Sequence, residues 1–153
     1  MHNHAPADYQ CPICLAIRGI EAEATWIRQA DIFFRDDLTL GFISSKFITG
    51  NEGHPIIVPV EHFENLYEMP DEVNHRIINL AKQVAITLKT VRNCDGVTLL
   101  QSNEPAGDQH AFHFHLHVVP RFNRDAFHQE VLNARRSDPQ ERISFAIQLR
   151  NSL

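Results

Sequence analysis

Three histidines, His113, His115 and His117, stand at every second position within residues 110–121. The residues that alternate with them are apolar: Phe112, Phe114, Leu116 and Val118. Side chains alternate between the two faces of a β-strand, so neighbours on one face lie about 6.6–6.8 Å apart. The pattern predicts a strand over 109–119 with the three imidazoles on one face and the apolar side chains in the core.

Three kinds of surface would explain this row of imidazoles. A merely solvated face is one, although threonine, lysine or glutamate would serve there with less reactivity. Alternating histidines on strands also bind zinc in hydrolases, so His113, His115 and His117 could hold a catalytic metal. The third is nucleophilic catalysis, in which one imidazole forms a covalent intermediate while its neighbours orient it and bind charge. An imidazole with a pKa of about 6.5 is a good nucleophile near neutral pH.

A second cluster of reactive groups is the C-x-x-C pair formed by Cys11 and Cys14. Redox chemistry of the thioredoxin type would need this pair at the start of a helix within a βαβ pattern, and that pattern is absent from the sequence. Two buried thiols without chemistry are one alternative. Half of a tetrahedral zinc site is the other, and it would need two more ligands.

Composition limits the class of protein. The 153 residues fit a single domain, 43% of them are hydrophobic and 22% are charged, and no apolar run is long enough to span a membrane. The net charge of −5 argues against binding of a nucleic acid polymer, whereas a small phosphorylated ligand needs only a local set of donors. Three cysteines form no disulfide framework, and no signal-peptide pattern opens the chain, so we expect a cytoplasmic protein.

Hydrophobic periodicity predicts the elements that must position these groups. A short helical turn is expected over 14–20, a long helix from Pro70 to the stop at 93–96, and a terminal helix over 139–150. Strands are expected at 24–28, 32–36, 38–44, 54–60, 97–101 and 109–119. Clustered strands with one long and one C-terminal helix indicate an α+β fold with an antiparallel sheet of about five strands.

Three motifs together resemble those of the histidine triad (HIT) nucleotide hydrolases and transferases. They are H-F-H-L-H-V-V from His113, GHPIIVPVEH at 53–62, and the loop NEPAGDQ at 103–109. The resemblance covers about residues 11–121, and the tail at 122–153 carries no recognised motif. It implies a HIT-like fold and a nucleotide or nucleotide-conjugate substrate, such as a dinucleoside polyphosphate or a nucleoside phosphoramidate.

The resemblance also implies catalytic roles. His115 would attack an α-phosphate and form a nucleotidyl-histidine, which water or another acceptor would resolve. His117 would donate to a phosphate oxygen or to the leaving group. His54 would orient His115 from the adjacent strand. Gln109 would contact a substrate phosphate. Asn103, or Ser102 on a different gapping, would be the asparagine position of the phosphate-binding loop.

Some positions depart from the pattern of the family. His110 stands where many members have serine or threonine, and Asp108 lengthens the loop by one residue. Ser44 stands where a ribose-binding aspartate is expected, and it offers one hydroxyl in place of a carboxylate. His110 and Ser44 would contact the substrate. Because both depart from the family pattern, a nucleotide-binding module with little turnover remains an alternative.

The resemblance further implies a structural zinc site and a two-fold dimer. Some members bind zinc through positions that correspond to Cys11, Cys14, His62 and His113. HIT proteins of this size are typically homodimers, and the predicted long helix carries Ile78 and Ala85 beside its main apolar stripe. The alternative is that the C-terminal helix covers this excess within one chain, through Ile143, Ile147 and Leu149.

Overall fold

The computed structural model describes residues 2–153, which form a five-stranded antiparallel sheet, a two-stranded ribbon and four helices. The helices are α1 (Pro12–Ile17), α2 (Asp71–Val91), α3 (Phe127–Glu130) and α4 (Pro139–Arg150). The strands are β1 (Ile32–Arg35), β2 (Thr39–Ile43), β3 (Lys46–Phe47), β4 (Pro55–Pro59), β5 (Gly96–Gln101), β6 (Leu116–Arg121) and β7 (Arg135–Arg136). The sheet has the order β1-β2-β4-β6-β5, and β3 pairs with β7. The predicted α+β class with about five antiparallel strands is confirmed.

The long helix α2 forms for the reasons that its sequence indicates. Pro70 is its N-cap, and Asp71 and Glu72 lie in the first turn, where negative charge complements the helix dipole. Its apolar stripe is buried against one face of the sheet. The helix ends before Asn93, which adopts a positive φ of 48°. Asparagine tolerates this left-handed conformation better than most residues, so the chain turns here into β5.

The two faces of the sheet serve different purposes. Ile57, Leu116 and Val118 pack towards α2 and α4, whereas Ile56 packs with α1 on the opposite face. Because side chains alternate along a strand, His117 lies on the α1 side, between two residues that face α2. The fold therefore buries the main core on one face, and the other face carries a smaller apolar cluster beside His117.

Two predicted strands differ from the structure. Residues 24–28 form no ladder: they run as an irregular segment whose Ile27 is buried on the α1 side of the sheet. The histidine strand begins at Leu116, not at 109, because the backbone amide of Phe114 donates to the Phe63 carbonyl outside the sheet. Phe112 consequently does not join the core, and its ring packs edge-on against Tyr9.

The C-terminal tail is part of the fold although it carries no recognised motif. Helix α4 is anchored by a fully buried ion pair between Arg142 and Asp31, 3.0 Å apart. Its Phe145 ring packs against Gly53, which has a φ of +71° and no room for a Cβ atom. This glycine ends the loop before His54, so the tail helps to fix the start of β4. Within residues 2–153, no helix combines the length and the apolar character needed to cross a membrane.

Candidate catalytic and metal-binding site

His115 is held in one orientation by the backbone of its own loop. Its Nδ1 atom lies 2.7 Å from the carbonyl oxygen of His113. A carbonyl can only accept, so Nδ1 carries the proton and Nε2 keeps its lone pair. Burial lowers the pKa of His115, which keeps the ring neutral, while part of the side chain stays exposed. The arrangement presents a nucleophilic nitrogen at the surface of the site.

His117 is oriented by a second histidine across the sheet. The Nε2 atom of His54 lies 3.0 Å from Nδ1 of His117. Burial lowers the pKa of His54 to about 4 and places the pKa of His117 well below its ordinary value, so both rings are neutral. A neutral pair can share only one proton along this contact, and either ring could supply it.

The buried environment of His54 decides which ring donates. Its Nδ1 atom has no hydrogen-bond partner among residues 2–153. A buried N–H without an acceptor is rarer than an unused acceptor, so we place the proton of His54 on Nε2. His54 then donates to Nδ1 of His117, and His117 carries its own proton on Nε2. His117 thus becomes a neutral hydrogen-bond donor beside the lone pair of His115.

The predicted partner of His54 is wrong. His54 was expected to orient His115, but it contacts His117. The strand register explains the difference. Ile56 of β4 pairs with His117, and His54 precedes Ile56 by two residues and so lies on the same face. The ring centres of His115 and His117 lie 5.2 Å apart, so the three imidazoles still form one continuous cluster.

The predicted zinc ligands converge on one point. One ligand atom from each of Cys11, Cys14, His62 and His113 lies within 4.8 Å of all the others. The Sγ atom of Cys11 is 3.4 Å from Nδ1 of His113, and that of Cys14 is 3.3 Å from Nδ1 of His62. Two sulfurs and two imidazole nitrogens at such separations fit the tetrahedral ligand set of a structural zinc ion.

Neighbouring groups set the protonation of these ligand atoms in a way that suits a metal. The Nε2 atom of His113 lies 3.0 Å from the Pro59 carbonyl and must donate to it, so Nδ1 faces the thiols with a free lone pair. Cys11 is the N-cap of α1, which begins at Pro12 and not at the predicted residue 14. A hydrogen bond between the two thiols lowers the pKa of Cys11 and raises that of Cys14, so Cys11 is the sulfur favoured as the thiolate that binds metal.

The alternative in which the three alternating histidines hold one metal is not supported by the geometry. Nδ1 of His113 points to the cysteines, Nδ1 of His115 to a backbone carbonyl, and Nδ1 of His117 to His54. Among residues 2–153, the Cys11, Cys14, His62 and His113 cluster is the one group of at least three such side chains close enough to share a metal ion. The first histidine therefore belongs to a different site from the other two.

The predicted phosphate loop is built around Gln109 and Asn103. Gln109 is buried, its Nε2 atom donates to the carbonyls of Glu64 and Ala111, and its Oε1 atom accepts from the Glu104 amide. The Asn103 side chain accepts from the Leu66 amide and exchanges hydrogen bonds with Gln101. Both side chains are thus engaged in holding the loop.

Ser44 and His110 are placed differently from each other. Ser44 is buried, and its hydroxyl donates to the Lys46 carbonyl and accepts from the Lys46 amide. Its own amide donates to the carbonyl of His54 at 3.0 Å, so it adjoins the histidine cluster. His110 is exposed at the opposite end, beside the phosphate loop.

Sequence reasoning missed the backbone contacts that shape the histidine loop. The Phe63 carbonyl accepts from Phe114, the Tyr9 hydroxyl accepts from Phe112, and the Glu64 carboxylate accepts from the amides of His4 and Ala5. The Phe63 carbonyl leaves no signal in residue types, and the acceptor roles of Tyr9 and Glu64 depend on distant contacts that no local pattern specifies. Only the GHPIIVPVEH segment, which ends one residue before Phe63, marks this part of the chain as part of the site.

Comparisons with known proteins agree with this geometry. A family model described as the HIT domain matches residues 28–124. An uncharacterized HIT-like protein of Borreliella burgdorferi is 33% identical over 96 residues, which are 61% of this chain and 68% of that protein. Adenylylsulfatase HINT3 of Arabidopsis thaliana is 28% identical over 115 residues, and the match covers 75% of this chain but only 54% of the plant protein.

A solved structure that is described as zinc-bound shares the architecture of this chain. The crystal structure of a Zn-bound histidine triad family protein from Mycobacterium smegmatis superposes with a TM-score of 0.75 at 25% identity. The superposition covers 94% of this chain and 92% of that one. The likeness therefore includes the C-terminal part that lies beyond the residues matched by the family model.

Proposed function

The chain belongs to the HIT domain family, and from that premise we propose that it is a nucleotide hydrolase or nucleotidyl transferase acting at an α-phosphate through a nucleotidyl-histidine. The observation that carries this proposal is the hydrogen bond from Nδ1 of His115 to the His113 carbonyl. It fixes the neutral tautomer with a free Nε2 lone pair at an accessible position, as covalent catalysis requires.

The first step forms the covalent intermediate. Nε2 of His115 attacks the α-phosphorus, a P–N bond forms, and the bond from phosphorus to the leaving oxygen, or to the leaving nitrogen of a phosphoramidate, breaks with its electron pair moving to that atom. His117 keeps its Nε2 proton and donates a hydrogen bond to that atom or to a phosphate oxygen, and the leaving group takes any proton it needs from water. Positioning and charge stabilisation are the main demands of phosphoryl transfer, and the neutral histidine pair meets both.

The second step releases the nucleotide. Water, or another acceptor with an O–H or N–H group, attacks the same phosphorus and the P–N bond breaks, returning the electron pair to Nε2 of His115. The acceptor releases its proton to water, which restores the starting state. Burial keeps the pKa of His54 and of His117 low, so His117 stays a neutral hydrogen-bond donor at neutral pH.

We place the substrate phosphates against the loop at 103–110. A net charge of −5 makes neutral donors the reasonable means of holding an anion here. Gln109 and Asn103 support the loop from below, because their side chains bind Glu64, Glu104, Leu66 and Gln101. They act by fixing the shape of the loop, since the amides of Gly107, Asp108 and Gln109 donate to carbonyls within it, and exposed His110 supplies a donor beside the substrate phosphates.

The substrate class follows from the same geometry. A nucleotide with a good leaving group on its α-phosphate, such as a dinucleoside polyphosphate or a nucleoside phosphoramidate, suits a site with one nucleophile and one donor. The relative named adenylylsulfatase supports an adenylyl compound. Ser44, next to His54, gives the nucleoside no free donor, since its hydroxyl is held by Lys46 and its amide by the His54 carbonyl. A binding module with little turnover is the second candidate, and the loss of a carboxylate at Ser44 favours it.

A structural zinc ion is proposed at Cys11, Cys14, His62 and His113. The residues fit this ion in type, in separation and in the contact of His113 with the Pro59 carbonyl. The bound ion would supply folding free energy by tying α1 to the histidine loop. Two thiolate ligands need a reducing environment, which supports the expected cytoplasmic location.

A homodimer is proposed through α2 and β5. Strand β5 is an edge strand of the sheet, and its Leu99 and Leu100 are 49% and 38% exposed. Ile78 and Ile86 of α2 are 56% and 60% exposed, so α4 leaves this face open. Exposed apolar residues beside an unpaired strand edge fit a second copy of the chain.

The role of Ala85 differs from the expected one. Ala85 is partly buried against the core, and Ile86 takes its place on the open face. In α4, Leu149 is buried and joins the core, while Ile147 stays 44% exposed. The terminal helix therefore contributes to the core without covering Ile78.

The proposed function is tested by comparing single histidine variants on a panel of adenylyl compounds. His115→Ala should reduce turnover by several powers of ten while nucleotide binding persists, as removal of a nucleophile does elsewhere. His128→Ala, at an exposed position of α3, is the matched control and should leave turnover unchanged. Turnover by His115→Ala within about tenfold of the parent would contradict the assignment.

A further inference from the structure

Two positive charges stand directly opposite each other on the β3–β7 ribbon. Lys46 pairs with Arg136 in the register of the two strands, and both side chains are exposed. Like charges at directly opposed positions destabilise a strand pair. The Arg136 guanidinium lies 4.5 Å and the Lys46 ammonium 5.9 Å from the centre of the Trp26 ring. The ribbon thus holds two repelling cations against one aromatic ring.

The nearby charges do not neutralise this pair. Neither Lys46 nor Arg136 forms a salt bridge with any residue in 2–153, whereas the adjacent Arg135 is paired with Glu141 at 2.8 Å. The carboxylate of Asp138 accepts from the Gln140 amide as the N-cap of α4. Although the net charge of the chain is −5, these two unpaired cations form a local patch of positive charge.

The ribbon is rigid enough to hold these side chains in place. Ser137 donates both its amide and its hydroxyl to the Ser45 carbonyl, at 2.9 and 3.0 Å. The hydroxyl of Ser44 bonds to the amide and the carbonyl of Lys46. Arg142, buried against Asp31, also donates to the Trp26 carbonyl at 3.0 Å. Backbone and aromatic ring are therefore fixed in relation to each other.

The position of the ribbon connects it to the histidine cluster. The Ser44 amide bonds to the His54 carbonyl, and Lys46 follows Ser44 by two residues, at most about 7 Å of backbone. Trp26 directly precedes Ile27, which is buried with Phe42 on the histidine side of the sheet. The backbone of the ribbon thus lies next to the start of β4, where His54 stands.

We propose that Lys46, Arg136 and Trp26 form a second subsite for an anionic group that the nucleotide carries in addition to its reacting phosphate. The subsite rests on the proposed function for the position of that reacting phosphate. Arg136 offers a planar fork of donors and Lys46 a point charge, which together suit one phosphate or sulfate group. The Trp26 ring keeps both cationic side chains in place before the ligand arrives. The extra group is either a phosphate on the ribose or the far end of a polyphosphate chain.

Binding of three probes tests this subsite without any turnover. The probes are adenosine 5′-monophosphate, adenosine 3′,5′-bisphosphate and adenosine 5′-tetraphosphate. Trp26 is the only tryptophan of the chain, so its fluorescence reports on the subsite itself, and calorimetry gives the affinities independently. One of the two richer probes should bind at least about tenfold more tightly than the monophosphate and should change the fluorescence. The bisphosphate would identify a ribose phosphate, and the tetraphosphate a polyphosphate end.

Variants on the ribbon separate this subsite from general attraction of anions. In the double variant Lys46→Gln and Arg136→Gln, the affinity for the preferred richer probe should fall to within about twofold of the affinity for the monophosphate. The affinity for the monophosphate itself should be unchanged. Arg135→Gln removes the same charge from a neighbouring position that is already paired, so it should keep the preference. The double variant should also be at least as thermally stable as the parent, because a like-charge repulsion is removed. A purely structural role for the two cations would lower its stability.

Several results would overturn the subsite. Equal affinities for the three probes would do so, as would a double variant that keeps the preference. Tighter binding of a single-stranded oligoadenylate than of either richer probe would identify the ribbon as a nucleic-acid surface instead. The proposed function is tested separately. Selective binding of a richer probe without turnover would support the subsite and contradict the proposed function. Turnover without selective binding would support the proposed function and contradict the subsite.

Discussion

His54 and His117 meet across the sheet at 3.0 Å although 63 residues separate them in the chain. The contact gives His117 a defined tautomer, and burial of both rings keeps them neutral. A neutral donor beside a neutral nucleophile is the electrostatic state that nucleotidyl transfer to His115 needs. Because buried His54 resists protonation in the folded chain, the free energy of unfolding should depend on pH.

Protonation of unfolded His54 should make stability depend on pH. Its pKa is about 4 in the folded chain and about 6.5 when unfolded, so between these values the unfolded state binds more protons. Stability therefore rises with pH in this window and is lost as the pH falls from 7 towards 4. His54→Phe removes this contribution, so its loss of unfolding free energy between pH 7 and 5 should be smaller than the parent's by about 2 kcal/mol. Urea unfolding at the two pH values measures the difference, and equal losses would contradict the buried neutral state.

The zinc proposal predicts one zinc ion per chain. Cys14→Ser should lower both the zinc content and the thermal stability, since a structural metal contributes folding free energy. Cys94→Ala is the matched control, because Cys94 is buried in the main core and lies outside the cluster. That variant should keep the metal even if its stability falls. Elemental analysis of protein purified without chelator decides the question, and absence of metal from the parent would contradict the site.

The dimer proposal predicts a species of about 35 kDa, twice the 17.5 kDa of one chain. Ile78→Glu together with Ile86→Glu places charge on the open face of α2 and should produce a monomer. Leu132→Glu is the control, since Leu132 is 83% exposed but lies in the C-terminal tail. Sedimentation velocity at micromolar concentration measures the mass. A parent protein that sediments at 17.5 kDa would show that each active site works alone.

The buried ion pair predicts a strong effect far from the histidines. Asp31→Ala leaves Arg142 charged and unpaired in the core, which should cost about 3–5 kcal/mol of unfolding free energy. Glu141→Ala breaks an exposed pair with Arg135 and also the Glu141 contact with the N-cap, so it should cost clearly less than Asp31→Ala. Denaturant unfolding compares the two. Similar losses for both variants would show that the burial of Arg142 does not stabilise α4.

The helices and most strands could be predicted because local patterns determine them. The stripe of α2, the capping residues of α4 and the apolar run of β4 each reflect one buried face, and each is placed as expected. The segment 24–28 has the same apolar character as a strand, but its burial comes from Ile27 and from the tie of Arg142 to Trp26. A pattern of apolar residues does not distinguish a strand from an irregular segment held by distant side chains.

The site residues could be named from the sequence, but their contacts could not. Strict alternation predicted one strand with His113, His115 and His117 on one face, whereas His113 lies in a loop and points to Cys11 and Cys14. Backbone acceptors at Phe63 and Pro59 produce this bend, and main-chain groups are the same for every residue type. The partner of His54 depended likewise on the register between β4 and β6, which no local pattern specifies.

The central claim is that Nε2 of His115 becomes covalently bonded to phosphorus. The direct measurement is to mix the protein with a radiolabelled adenylyl donor, quench it in milliseconds under conditions that preserve P–N bonds, and map the labelled peptide by mass spectrometry. The account predicts one nucleotidyl group per active chain, located on His115, and no label on the His115→Ala variant. Turnover of the same donor without label, or label on His117 or His54, would contradict it.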